Sequence, residues 1–234
     1  MSEGTVYTAR QRPGTYARGA DTVDQILKAA LSVLIDEGAI AFTLRRIARA
    51  CGLKVGNLSY HFPRKEVLIQ LLLEELLDSY EALLDRTVRQ PDLTAEDRLS
   101  PTITICLDDI GSKRTTHLFT ELWALANHDD FVADRVAAFY RHVHGIIGQF
   151  VADLNPALTP DEVRTVSLFI SSSMEGTTVF SGYGKAWEAQ MPQIKALSVL
   201  SLVHLAKTVT SNDIHRFEMP NQTIDRPEIM RGAR

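Results

Sequence analysis

Lys54, Val55 and Asn57 fall within one turn of a short segment, Val55 to about His61, that reads as helix. Side chains in the first turn of such a helix reach base edges in a DNA major groove, so these three are candidates for base readout. Asn57 can pair with adenine, and Val55 can touch a thymine methyl. Gly56 would let the backbone come close to a phosphate, while Arg46 and Arg49, on the preceding segment, can meet the DNA backbone. This is recognition chemistry rather than bond making. An enzyme would need a nucleophile beside a base, a phosphate loop or a metal-ligand cluster. The chain has no Gly-rich phosphate loop, no His-x-x-x-His pair and no paired carboxylate motif. His142 and His144 stand two apart on a helix and face different directions, which argues against a metal site. No enzyme activity, metal or cofactor is expected.

The elements that position these residues are helices. Almost every periodic stretch has helical spacing, and the alternating β-branched runs of strands are missing. About nine helices are expected. The first spans about Thr22 to Glu37, with Asp21 as N-cap, an inward stripe of Ile26, Leu27, Ala30 and Leu34, and Gly38 as terminator. A second, short helix follows Thr43, whose hydroxyl can cap it while Phe42 and Ile47 flank the cap as a hydrophobic staple. Gly52 ends that helix where a left-handed residue is needed, and the third begins near Val55. Two short helices joined by a tight glycine turn make a helix-turn-helix. Leu53, Leu58 and Phe62 should point inward, leaving Lys54, Val55, Asn57 and Tyr60 on the outside. A long fourth helix starts at Pro63 and Arg64, and later ones are expected near 94–109, 115–127, 130–153, 160–182 and 191–210.

Composition sets the class. With 45% hydrophobic and 23% charged residues over 234 positions, the chain is that of a globular protein able to bury a substantial core. Cys51 and Cys106 lie in apolar helical patterns and read as buried thiols, which suits a reducing cytoplasm. No run approaches the ~18 apolar residues of a membrane span, and no signal peptide is evident, so a cytoplasmic protein without membrane contact is expected. The net charge of −4 conceals an asymmetry. Met1 to Lys65 holds ten Lys/Arg against five Asp/Glu, whereas Glu66 to Arg234 holds fifteen against twenty-four. One end can face phosphates and the other should repel them.

The stretch Thr43 to Leu68 reads TLRRIARACGLKVGNLSYHFPRKEVL. It resembles the signature of the tetracycline-repressor (TetR) family of bacterial regulators. The shared features are Thr43 opening the second helix, Ile47-Ala48 inside, Gly52 at the turn, Gly56 early in the third helix, Leu58, the Tyr60-His61-Phe62 cluster and Lys65-Glu66. The resemblance implies an all-α fold: an N-terminal three-helix DNA-binding domain with a helix-turn-helix, plus a larger C-terminal helical ligand-binding and dimerisation domain. It implies phosphate contacts from Thr43, Tyr60, His61 and Lys65, and Arg45 matches a position that reaches a base in some relatives. Ser59 departs from the pattern, standing where the family very often has tyrosine, and is a shorter donor toward phosphate. The expected division is a flexible arm at 1–20, the helix-turn-helix domain at 21–66, the effector-binding and dimerisation domain at 67–211 and a tail at 212–234. Arg10, Arg12 and Arg18 on the arm are candidates for a flanking minor groove.

By the same resemblance, the helices near 160–182 and 191–210 would pair with those of a second copy in a four-helix bundle. Val163, Val166, Ile170 and Met174 on the first, with Leu197, Leu200, Val203 and Leu205 on the second, supply the apolar faces. The expected function is a dimeric regulator, a repressor by family resemblance, that binds a palindromic operator and is released by a small-molecule effector. Residues that interrupt apolar faces are the candidates for the effector cavity: His117, Glu121, Trp123, Asn127, Tyr140, His144, Met174 and Glu175. The alternatives are an all-helical enzyme and a dimerising adaptor without DNA affinity, toward which only Ser59 points.

Overall fold

The computed structural model describes residues 17–88 and 92–216. Among them are eleven α-helices, one 3-10 turn at Glu188–Gln190 and no strand. The all-α expectation stands.

The head is built from α1 (Ala17–Ala41), α2 (Leu44–Ala50) and α3 (Val55–His61). Gly38 breaks α1 as the sequence suggests, with φ 80°, a left-handed conformation that suits glycine. The start differs. The helix begins at Ala17, so Asp21 lies inside it rather than capping it, and the last four residues of the expected arm belong to α1. Arg10 and Arg12 lie outside the described residues; Arg18 falls in the first turn of α1. Thr43 caps α2, its hydroxyl accepting from the Arg46 amide at 3.2 Å, and Phe42 and Ile47 are both fully enclosed beside it. Gly52, at φ 69°, makes the turn. Leu58 and Phe62 are fully buried, so α3 is pinned by one face.

Long α4 (Lys65–Thr87) carries Val67, Leu68, Ile69, Leu71, Leu72 and Leu73, all buried. A helix segment apolar on nearly every side must be enclosed on every side, and the first half of α4 is so placed between the head and the rest of the chain, while its second half keeps an exposed, charged face. One continuous apolar cluster joins the head to α4, to α6 (Lys113–Ala126) and to the first half of α7 (Asp130–Leu154). A second cluster joins the end of α4 to α5 (Ala95–Ile110), the rest of α7, α8 (Pro160–Glu175) and α10 (Met191–Thr208).

Two boundaries depart from the sequence reading. The helix expected over 160–182 is two: α8 stops at Gly176, whose amide bonds to Ser172, and α9 (Thr177–Ser181) follows. The expected tail opens with a short helix, α11 (Ser211–His215), because Thr210 and Asp213 form a reciprocal capping box and His215 reaches Glu162 at 3.3 Å. The rest of that tail, from 217, lies outside the described residues.

Candidate functional site

Burial of Leu58 and Phe62 leaves the other face of α3 to solvent. Lys54, Val55, Gly56, Asn57 and Tyr60 are all exposed, Tyr60 by 85% with its ring edge-on to His61 at 5.3 Å. Nothing lies within 4 Å of where a Cβ on Gly56 would sit, and its backbone needs no left-handed angle. Glycine in a helix costs about 1 kcal/mol relative to alanine. Internal packing therefore gives no reason for Gly56.

The remaining candidates on the head divide. Thr43 and Arg45 are exposed, and Ser59, His61 and Lys65 are half-buried. The buried Nδ1 of His61 has no hydrogen-bond partner among the described residues. Arg46 is tied down: its guanidinium makes a two-pronged bridge to Glu37, at 2.7 and 2.5 Å. Arg64 lies over the Phe131 ring at 5.7 Å and joins head to α7.

Three contacts join α6 to α1. The Glu121 carboxylate accepts from the Ala39 amide at 2.7 Å, His117 Nδ1 lies 2.9 Å from the Ile35 carbonyl, and Lys113 bonds Asp36 at 2.6 Å. Thus His117 and Glu121, expected in the effector cavity, instead secure the head. Their polarity answers orphan backbone groups near the end of α1, where the Gly38 break frees the Ala39 amide. Asn127 is the exposed C-cap of α6, and Met174, on α8, is buried within the second core cluster.

Trp123, Tyr140, His144 and Glu175 do gather. They line a cleft of about 450 Å³ whose rim includes Leu168 and Val179. The indole N–H of Trp123 donates to the Tyr140 hydroxyl at 3.1 Å, and the His144 ring stacks on Tyr140 at 6.0 Å. Glu175 also walls a second, slender cavity of about 60 Å³ among α4 to α8, bounded by Leu77, Leu84, Phe119, Phe139 and Ile146. Sequence reasoning missed several polar groups of this inner cavity, among them Tyr80, Thr102, Cys106 and Thr115. Asp109, just behind, bonds both the Tyr80 hydroxyl and, at 2.7 Å, Thr115. The available signal was Tyr80 and Asp109 interrupting the apolar faces of α4 and α5.

Burial dominates the electrostatics here. It pushes the Glu175 carboxyl up to about 7, opposed by the Tyr140 hydroxyl and reinforced by the charge of Asp109. It also raises the Cys106 thiol to about 12 and lifts the Tyr80 and Tyr140 hydroxyls far above the phenol range. His144 is lowered by the same cause. Among the described residues no group of three or more His, Cys, Asp or Glu could hold a metal ion, and no helix is long and apolar enough to cross a membrane.

On the far side of the body, apolar side chains face outward. Leu168, Phe169, Val179, Phe180, Leu197 and Leu200, on α8 to α10, are all more than half exposed. Of the positions marked from sequence for pairing, Leu197 and Leu200 on α10 are exposed, whereas Val166, Ile170, Met174 and Val203 are buried within the chain. Helices between a core and a second apolar face have two such stripes, and periodicity alone does not say which is outermost.

A helix-turn-helix whose recognition helix is bare on one side, carried on a helical body with an internal cavity, defines the class of DNA-binding transcriptional regulators. Residues 26–72 match the family described as "Bacterial regulatory proteins, tetR family", and residues 95–199 match "BetI-type transcriptional repressor, C-terminal". The chain belongs to the TetR family, which places it among regulators rather than enzymes. It is 34% identical over 77 residues to the HTH-type transcriptional repressor KstR2 of Mycolicibacterium smegmatis, spanning 31% of this chain and only 38% of that protein. A TetR-family regulator from Rhodococcus sp. superposes with TM-score 0.66 at 18% identity, covering 80% of this chain and 100% of that one. FadR from Bacillus subtilis, in complex with stearoyl-CoA, superposes with TM-score 0.61 at 17% identity, covering 80% and 98%.

Proposed function

We propose that the chain is a cytoplasmic, homodimeric repressor that binds a palindromic operator and is released from it by a small molecule held in the body. The observation that carries this reading is the bare face of α3, where Gly56 stands open between exposed Val55 and Asn57. Lys54, Val55 and Asn57 read bases; Thr43, Tyr60, His61 and Lys65 hold phosphates, and Gly56 lets the helix approach. Ser59, half-buried and short, contributes weakly. Arg45 reaches DNA directly, whereas Arg46 must leave Glu37 to do so.

One recognition helix reads too few bases for a specific site, and the exposed face on α8 to α10 supports pairing with a second copy. The two heads then sit roughly 34–36 Å apart, one DNA turn. The head occupies about 21–66 and the ligand-binding and pairing part about 67–211. Similarity to the repressor KstR2 supports repression, and the stearoyl-CoA complex of FadR supports a ligand within the body. Release is a population shift: the ligand favours a body whose α4 and α6 hold the heads at another spacing.

Selection of bound duplexes from a random pool at about 100 mM salt tests this. An inverted repeat is expected. A folded, dimeric protein that enriches nothing would leave an adaptor or sensor without DNA affinity.

A further inference from the structure

We infer that the effector is a lipophilic amine, an apolar body carrying a cationic nitrogen that Glu175 holds, rather than a fatty acid or an acyl thioester. This deepens the effector reading above and rests on it.

The inference starts from an unmet need. Oε2 of Glu175 is buried and has no hydrogen-bond partner among the described residues. A buried acceptor left unpaired is costly, and a ligand that brings a donor removes that cost. Glu175 lines both the slender cavity and the cleft, so a ligand in either reaches it, and one lying in both would pass beside it. The slender side offers Leu77, Leu84, Ile146 and Ile147 to an apolar tail; it is narrow, and a tail must part those side chains.

The charge of the ligand follows from the groups around Glu175. Neither cavity is lined by a Lys or Arg. Arg86 and Arg114 line a separate cleft beside Tyr80, together with Asp108 and Asp109. From α7 come Tyr140, His144 and His142, from α5 Cys106 and Asp109, and from α4 Tyr80. His142 is paired with Glu81. An anion in this place would meet Asp109 and Glu175 with no cation to answer it. A cationic nitrogen would pair with Glu175 and lie against the faces of Tyr140 and Trp123, an arrangement favourable to ammonium groups.

The test titrates the full-length protein with octylamine, octanol, octanoate and stearoyl-CoA. Tryptophan fluorescence reads binding, and release of the selected duplex reads effect. Octylamine should bind roughly tenfold or more tighter than octanol, and octanoate should bind weakest of the three. The preference should grow from pH 6 to pH 8 as Glu175 ionises and vanish in Glu175→Gln, whose melting curve checks that it folds. Tighter binding of octanoate or stearoyl-CoA, no binding of octylamine, or an amine preference that survives Glu175→Gln overturns the inference. Amine binding that leaves the duplex bound supports the cation site and sinks the effector reading; release by an anion does the reverse.

Discussion

On α3 the candidate residues stand outside a finished core, whereas at the end of α8 Glu175, half-buried, walls a cavity within one. The head separates its tasks: Leu58 and Phe62 hold the fold, and Lys54, Val55 and Asn57 turn exposed side chains to solvent. The body does not separate them. Tyr80, Asp109, Thr115, Tyr140 and Glu175 both pack the interior and shape the cavity, so a change to any of them alters stability and binding together. DNA contact and folding should therefore be separable by mutation in the head and inseparable in the body.

Leu58→Ala should break the head outright, costing about 2–5 kcal/mol, seen as a lower urea midpoint with loss of duplex binding. Asn57→Ala sharpens the contrast from outside: operator affinity should fall by about 1–3 kcal/mol with the urea midpoint unchanged, as anisotropy and denaturation together would read. A shifted midpoint would mean that α3 is not divided into a folding face and a DNA face.

In the body, Glu175 ties stability to pH. The unfolded chain ionises this group near 4.5 and the folded chain near about 7. Between those values the folded state keeps a proton that the unfolded state has lost, so stability falls as pH rises from 4.5 to 7 and stays lower above. Glu175→Gln should raise stability on the order of 1–3 kcal/mol at pH 8 and change little at pH 4, in melts run at both values. Equal effects at the two values would contradict the raised carboxyl. At the junction, Glu121→Ala strips the Ala39 amide of its acceptor and should cost about 1 kcal/mol, with hydrogen exchange rising first around Ala39. The smallest effect should come from Arg46→Ala. Its bridge to Glu37 is partly exposed and contributes under about 1 kcal/mol, so stability should barely move, and operator affinity should drop less than for Asn57→Ala.

The same contrast explains what the sequence made legible. The bounds of α2 and α3, the Thr43 cap, the Gly52 turn and the inward Leu58 and Phe62 are set by residues within about twenty positions of one another, and spacing reports them directly. The cavity is assembled from five helices, and spacing cannot say which helix a polar residue faces. Glu121 and Glu175 looked alike as carboxylates interrupting apolar faces. One turned out to cap the broken end of α1 and the other to wall the cavity, because the break at Gly38 happens to meet α6. Trp123, Tyr140 and His144 did converge with Glu175, while Tyr80 and Asp109 were passed over because their partnership spans two helices. The same ambiguity put the α8 stripe at Val166, Ile170 and Met174, which are buried, whereas Leu197 and Leu200, marked on α10, do face outward.

The central claim is that two copies, joined through α8 to α10, lay their α3 helices on one inverted repeat. Sedimentation of the wild type and of a Phe169→Asp, Leu197→Asp double variant with the selected duplex tests it most directly. Two wild-type chains per duplex, and a variant that is folded, monomeric and greatly weakened in duplex binding, is the predicted result. A variant that remains dimeric, or a monomer that binds the duplex as tightly as the wild type, would contradict it.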